Sequence, residues 1–425
     1  LPFADQSGIR FDLLFPVNKG RFVARFLPRP KNVLLVLASI VVALILAEVA
    51  VRVFAPWPFY SRGMTVKFHP EIGWTFAPNL DTYSTNQPRE YVRPFKTNSL
   101  GFRDAEPLPL PVGGAFVALG DSYTVAREVL RRQRWTDVLA RLISTAKGQP
   151  VKGVNLACDA YGPTQEWLVY KWFGRKFPAK LVLLLFYCGN DFSDVIGNAN
   201  TPFLTPVPGG YRLVTPKDPT LIVKRWGGQR KWYKWFHLYN RQRDFFAGLR
   251  LRRKWREHRA RWDGTPENFW KVYRGPFQVI NPMYRQPPAG FYQRRLPLVR
   301  ESFRRLQALV KAQGATLVVF IMPQRRAYGE RRGVYDHLVP GLGPVLKTLD
   351  LDQPQRRIDA LLKDMGIIHL DLTPALRRLG SRADEFNFAW DTHLTAKGQA
   401  FIARVMFQYL RRSGILGRVG LGPVR

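Results

Sequence analysis

The sequence predicts an α/β protein built on a doubly wound parallel five-stranded sheet, preceded by one transmembrane helix. Three observations carry that expectation. Five short, almost continuous apolar runs recur along the chain, amphipathic helical patterns alternate with them, and one long uncharged stretch lies near the start. Strands covered by helices on both faces read as continuous apolar runs rather than alternating ones. Strands alternating with helices point to a parallel sheet wound on both sides.

The uncharged stretch is VLLVLASIVVALILA, residues 33–47. As helix it is about 22 Å long, and continued through Ala55 it reaches about 34 Å, enough to cross a ~30 Å hydrocarbon core with modest tilt. Glu48 and Arg52 fall inside that span at i and i+4, positioned to pair near the far interface. Lys19, Arg21, Arg25, Arg29 and Lys31 precede the span, whereas Arg62 and Lys67, offset by Glu71, follow it. The positive-inside rule then keeps the N-terminus cytoplasmic and exports the remainder, into the periplasm in a Gram-negative cell. No small-residue cleavage site follows the run, so an uncleaved anchor is expected.

Residues 56–111 are rich in turn-forming residues and read as a linker or accessory segment of loops and short strands. The apolar runs come next: AFVALG (115–120), VKGVNLAC (151–158), KLVLLLFYC (180–188), ATLVVFIM (315–322) and IIHLDL (367–372). Helical faces lie between them, Val138/Leu139/Leu142/Ile143 before Gly148, Phe303/Leu306/Leu309/Val310 before Gly314, and Ile358/Leu361/Leu362/Met365 before Gly366. The expected division is a basic segment 1–32, a transmembrane helix 33–55, the segment 56–111, and an α/β domain 112–425 interrupted at about 202–291.

That interruption is basic and aromatic. Between Lys224 and Arg261 fourteen Lys/Arg stand against Asp244 and Glu257, interleaved with Trp226, Trp232, Trp235, Phe236, Phe245, Phe246 and Trp255. The whole chain of 425 residues carries 66 Lys+Arg against 31 Asp+Glu, a net +35, which predicts attraction to polyanions. For an exported domain the expected partners are anionic lipid headgroups or a membrane protein, not nucleic acid. No phosphate-binding loop occurs, GLGPVL (341–346) lacks a strand–turn–helix context, and no histidine lies at metal-ligand spacing, so neither cofactor nor metal is expected.

Ligands of such sheets bind beyond the carboxyl ends of the strands. Ser122, in FVALGDSYTV, stands at that edge. Acyl transfer by serine needs a base, a carboxylate to orient it, and donors for the oxyanion. WDTHLTAKG supplies Asp391 and His393, expected on one side of an extended turn, with Thr395 capping the next helix. His393 would take the proton from Ser122 while Asp391 holds the other ring nitrogen. The Ser122 N–H, the Ala160 N–H in NLACDAYGPTQ and the Asn190 amide in FYCGND are the expected oxyanion donors. Asp191, Asp194 and Asp371 read as loop and cap residues, and His369 as a packed side chain within a strand.

These blocks in order, GDS at 120–122, the loop 155–162, GND at 189–191 and Asp391 with His393, resemble the SGNH (GDSL) hydrolase superfamily, and TNSLGFRD resembles its membrane-anchored bacterial members. The resemblance covers roughly residues 70–412 and implies a flavodoxin-like SGNH hydrolase fold with Ser122 as nucleophile. It implies an esterase or O-acyltransferase acting on an O-acyl, especially O-acetyl, ester of a glycan or small molecule. Three positions depart from the pattern. Ala160 replaces the usual donor glycine beside Asp159, YTVAREV lacks a glycine and sets Arg127 and Glu128 near the mouth, and Asp-x-His resembles alginate O-acetyltransferase-like members. The competing expectation is a degenerate domain serving as an accessory subunit of a membrane complex. In the flavodoxin-like strand order 2-1-3-4-5, the first strand separates Cys158 from Cys188 by about 9–10 Å, too far for a disulfide, so free thiols are expected.

Overall fold

The computed structural model describes residues 30–55, 66–86, 90–106, 108–197, 201–216, 236–261, 283–285, 290–329, 348–389 and 391–423. The basic segment ahead of residue 30, the aromatics Trp226, Trp232 and Trp235, and the run 341–346 lie outside them.

Two antiparallel hairpins come first in the α/β body, β1 (Val66–His69) with β2 (Gly73–Phe76) and β3 (Asp81–Thr85) with β4 (Val92–Lys96). The central strands are β5 (Ala115–Gly120), β6 (Lys152–Asn155), β7 (Leu181–Tyr187), β10 (Thr316–Met322) and β11 (Ile368–Asp371), with the hairpin β8 (Phe203–Val207)–β9 (Gly210–Val214) inserted before β10. All pairings in the five-stranded sheet are parallel, and its order is β6-β5-β7-β10-β11. Each expected strand is present, within a few residues of its expected ends. That is the 2-1-3-4-5 order, and Cys158 and Cys188 are both free and buried.

The continuous apolar runs have a direct physical reading. On β7, Val182, Leu184 and Phe186 enter one core cluster while Leu181, Leu183, Leu185 and Tyr187 enter the other. The first cluster lies under α4 (Pro163–Trp172), α7 (Phe291–Ala312) and α8 (Gln353–Asp364). The second lies under α3 (Trp135–Lys147) and α10 (Ala396–Arg412), which pack against each other. Remaining helices used below are α1 (Pro30–Phe54), α2 (Ser122–Val125), α5 (Asp191–Asp194), α6 (His237–Ala260) and α9 (Thr373–Arg377).

Described residues of the segment read as a linker or accessory segment contribute to the first core. Ile72, Phe76, Phe95 and Phe102 are fully buried there, with Phe76 and Phe95 edge to face at 5.0 Å. Helix α1 is long and apolar enough to cross a membrane, and nearly all of its apolar side chains are exposed. Glu48 and Arg52 do pair, at 2.7 Å, and Glu48 also accepts the backbone N–H groups of His237 and Leu238 at 2.9 and 2.8 Å. The carboxylate of α1 thus caps α6, satisfying N–H groups that a helix start leaves without partners.

Candidate active site

The nucleophile turn begins at Gly120, where β5 ends. A Cβ there would lie 2.3 Å from Thr124 Oγ1 and φ is +146°, so only glycine fits. Asp121 caps α2 by accepting the Tyr123 N–H at 2.8 Å, and Ala126, left-handed at φ 49°, ends the helix after one turn. This abrupt reversal leaves Ser122 at the carboxyl edge of the sheet. Its own N–H makes no hydrogen bond among the described residues.

The base arrives from the far end of the chain. A bridge between Asn387 and Leu394 closes a loop, inside which Phe388 N–H donates to His393 O at 3.1 Å and Asn387 Nδ2 to Thr392 O at 2.9 Å. Thr395 caps α10 as expected, through the Gly398 N–H. Two ties fasten this loop to the nucleophile turn: Tyr123 Oη donates to Thr392 O at 2.6 Å, and Gln399 Nε2 donates to Tyr123 O at 3.4 Å.

Within that frame His393 Nε2 lies 2.8 Å from Ser122 Oγ, and His393 Nδ1 contacts Asp391 Oδ1. The same carboxylate oxygen accepts the His393 backbone N–H at 3.0 Å. The expected extended turn is therefore replaced by a bend in which Asp391 holds both the ring and the backbone of the residue two positions on. With the Nδ1 proton on Asp391, the Nε2 lone pair faces the serine hydroxyl. Burial disfavours the charged ring, but Glu128, then Asp391, and Asp121 more weakly, push His393 up to about 10.

Arg127 and Glu128 are not at the mouth. Both are buried, because the left-handed Ala126 turns the chain back under the site. Arg127 binds Asp159 through two guanidinium nitrogens, one at 3.2 Å and one in closer contact. Asp159 is thus neutralised within the fold rather than left to oppose an oxyanion. Ala160 has φ 57°, a left-handed conformation that glycine takes more cheaply, and its N–H makes no hydrogen bond among the described residues.

Asn190 stands beside the turn, but its amide is committed to carboxyl groups. Nδ2 donates to Asp194 Oδ2 at 2.5 Å, and the side chain also favours the charged form of Asp121. Burial nevertheless pushes Asp121 up to about 6. Asp191, expected in a loop, is fully buried and accepts the Tyr187 N–H at 2.8 Å. Burial and the neighbouring Glu166 raise it far above the usual carboxylate range. Asp371, one residue ahead of the α9 cap, accepts the Thr373 N–H and hydroxyl, and His369 is satisfied by Ile367 O and Asp359.

Several contributors were not legible in the motif pattern. Tyr91 Oη donates to Asp391 Oδ2 at 3.3 Å. Trp74 Nε1 donates to Asp159 O at 3.2 Å, and Arg103 grips the carbonyls of Val125, Ala126 and Val129 at 2.6–2.8 Å. The preceding-block residues TNSLGFRD were the available signal for Arg103. Glu128, Asp391 and His393 form the one group of metal-capable side chains found among the described residues, with ligand atoms within 4.8 Å of one another. Their shared atom, His393 Nδ1, is the one already held by Asp391.

Solved structures similar to this chain include a Bacillus subtilis protein, at 13% identity over 73% of this chain and 59% of that one, with a TM-score of 0.34. A GDSL-like lipase from Parabacteroides merdae matches at 10% identity over 72% of this chain and 98% of its own, TM-score 0.32. A catalytic mutant of an acetylxylan esterase from Geobacillus stearothermophilus matches at 11% identity over 71% and 94%, TM-score 0.35. No protein-family model and no curated protein matches the chain.

Proposed function

We propose that this chain is a membrane-anchored SGNH-type serine esterase or O-acyltransferase acting on O-acyl, chiefly O-acetyl, esters. One observation carries the reading: a hydroxyl, an imidazole and a carboxylate drawn from positions 122, 393 and 391 meet in hydrogen-bonding order. Ser122 Oγ attacks the ester carbonyl as its proton passes to His393 Nε2. The N–H groups of Ser122 and Ala160 take the oxyanion, joined by Asn190 once its amide leaves Asp194. His393 returns the proton to the leaving alcohol. Water then releases the acid, or an acceptor hydroxyl takes the acyl group.

Helix α1 anchors the chain with its N-terminal side cytoplasmic and the α/β body outside. The hold of Asp194 on Asn190 favours a second reading, an accessory subunit with a lapsed site. Fluorophosphonate labelling and p-nitrophenyl acetate turnover separate the two. Ser122→Ala is expected to abolish both, with a rate loss of at least about 10³-fold. Ser413→Ala, at the far end of α10, should leave both unchanged. Wild-type protein that neither labels nor turns over substrate, but co-purifies with a stoichiometric membrane partner, would establish the accessory reading.

A further inference from the structure

The geometry points to Glu128 as a second carboxylate partner of the His393 imidazole, a positioning residue working beside Asp391. This deepens the serine-ester reading and rests on it.

Glu128 Oε1 lies 3.4 Å from His393 Nδ1, the nitrogen Asp391 also holds. Its side chain is 1% exposed, and its carboxyl oxygens have no hydrogen-bond partner beyond the residue's own backbone. A buried carboxyl in that state is costly unless a charge faces it. Two cationic groups are nearby. Arg127 is hydrogen-bonded to Asp159 and also attracts Glu128, and the imidazole lies within ion-pair distance of the same carboxylate. The contact exists because Ala126 turns the chain under the base loop, so one turn carries both the nucleophile and the second carboxylate.

Consider the proton step. The Ser122 O–H bond breaks, an Nε2–H bond forms, and the ring passes from neutral to cationic. Two carboxyl groups then meet the Nδ1–H. The charged and titratable groups around the ring are Asp121, Tyr123, Arg127 and Glu128 from the nucleophile turn, Tyr123 packing on it at 4.8 Å, Asp391 from the base loop, Tyr91 from the hairpin through Asp391, and Asp159 through Arg127. Burial raises Glu128 while His393 pulls it down, and Glu128 is the strongest of the charges that raise His393.

The sign follows. Glu128 and Asp391 hold the ring proton above the ordinary imidazole range, so the neutral ring that accepts the serine proton forms at higher pH than an unperturbed histidine would allow. The acid limb of kcat/KM is therefore shifted to higher pH. Glu128→Gln, measured on the full chain with p-nitrophenyl acetate, should move that limb at least one pH unit lower. A residue that only fills space would not move it. Asp391→Asn should retain at least tenfold more activity than Ser122→Ala, and Asp391→Asn/Glu128→Gln should fall to the Ser122→Ala level. An unmoved limb, or equal rates for Asp391→Asn and the double variant, would overturn the proposal while leaving the serine reading intact. Activity surviving in Ser122→Ala would instead remove the reading beneath it. Should Glu128→Gln fail to fold, Glu128→Asp keeps the charge and withdraws it by one methylene. Its limb should fall between the other two, and a wild-type limb there counts against the proposal.

Discussion

Ala160 sits in a strained backbone conformation. Its φ of 57° lies where a Cβ crowds the following carbonyl, a cost of roughly 1 kcal/mol relative to glycine. Neighbouring residues hold it there: Trp74 donates to Asp159 O and Arg127 binds the Asp159 side chain. Ala160→Gly should therefore raise stability by about 1 kcal/mol, because glycine reaches the same dihedrals freely. It retains the N–H, so turnover should stay within about twofold. Thermal unfolding and p-nitrophenyl acetate kinetics on the same preparation check both halves. A less stable variant would mean that the methyl contact with the core outweighs the strain.

At the scale of elements, Arg103 joins the early hairpins to the nucleophile turn. It is buried and donates to the carbonyls of Val125, Ala126 and Val129 at and just beyond the end of α2, of which Ala126 also accepts the Val129 N–H at 3.3 Å. Arg103→Met keeps bulk and removes the donors, so the loss should be on the order of 3 kcal/mol. Amide exchange should quicken in 122–129 and stay slow in β10. Uniform acceleration across the sheet would show that Arg103 serves general stability rather than this turn. The contrast explains what the sequence could and could not disclose. Strands β5, β7 and β10 were legible because burial on both faces writes a continuous apolar run. Helix ends were legible at Gly148, Gly314 and Gly366, all left-handed here. Ser122, Asp391 and His393 could be singled out because acyl transfer by serine needs those residue types together, and the fold brings the three side chains into contact. The place of Arg127 was not, since its partner Asp159 is 32 positions away and nothing local marks the pair. Tyr91 was hidden for the same reason, reaching Asp391 across 300 positions.

At the scale of the whole molecule, the charge of +35 and the exposed helix α1 bear on the same question. Glu48, near the C-terminal end of α1, holds the first N–H groups of α6, so the start of the basic helix is tied to the last turns of the apolar one. If α1 crosses a bilayer, α6 starts at its surface. Exposed Phe245, Phe246 and Leu249 then stand beside exposed Arg253 and Arg256 on one side of the helix, where rings can enter the interface while guanidinium groups reach the headgroups. Each Lys or Arg near an anionic leaflet contributes about 1 kcal/mol, screened by salt within a Debye length of roughly 8–10 Å. A nitroxide at Phe246→Cys, in full-length protein reconstituted into nanodiscs, should report lipid contact when the discs hold phosphatidylglycerol. Contact should weaken in phosphatidylcholine discs and in 1 M salt. Glu48→Gln should weaken it in both lipids, since it loosens the tie that sets α6 at the interface. A label equally water-exposed in every disc would remove the lipid role and leave a protein partner as the use of this helix.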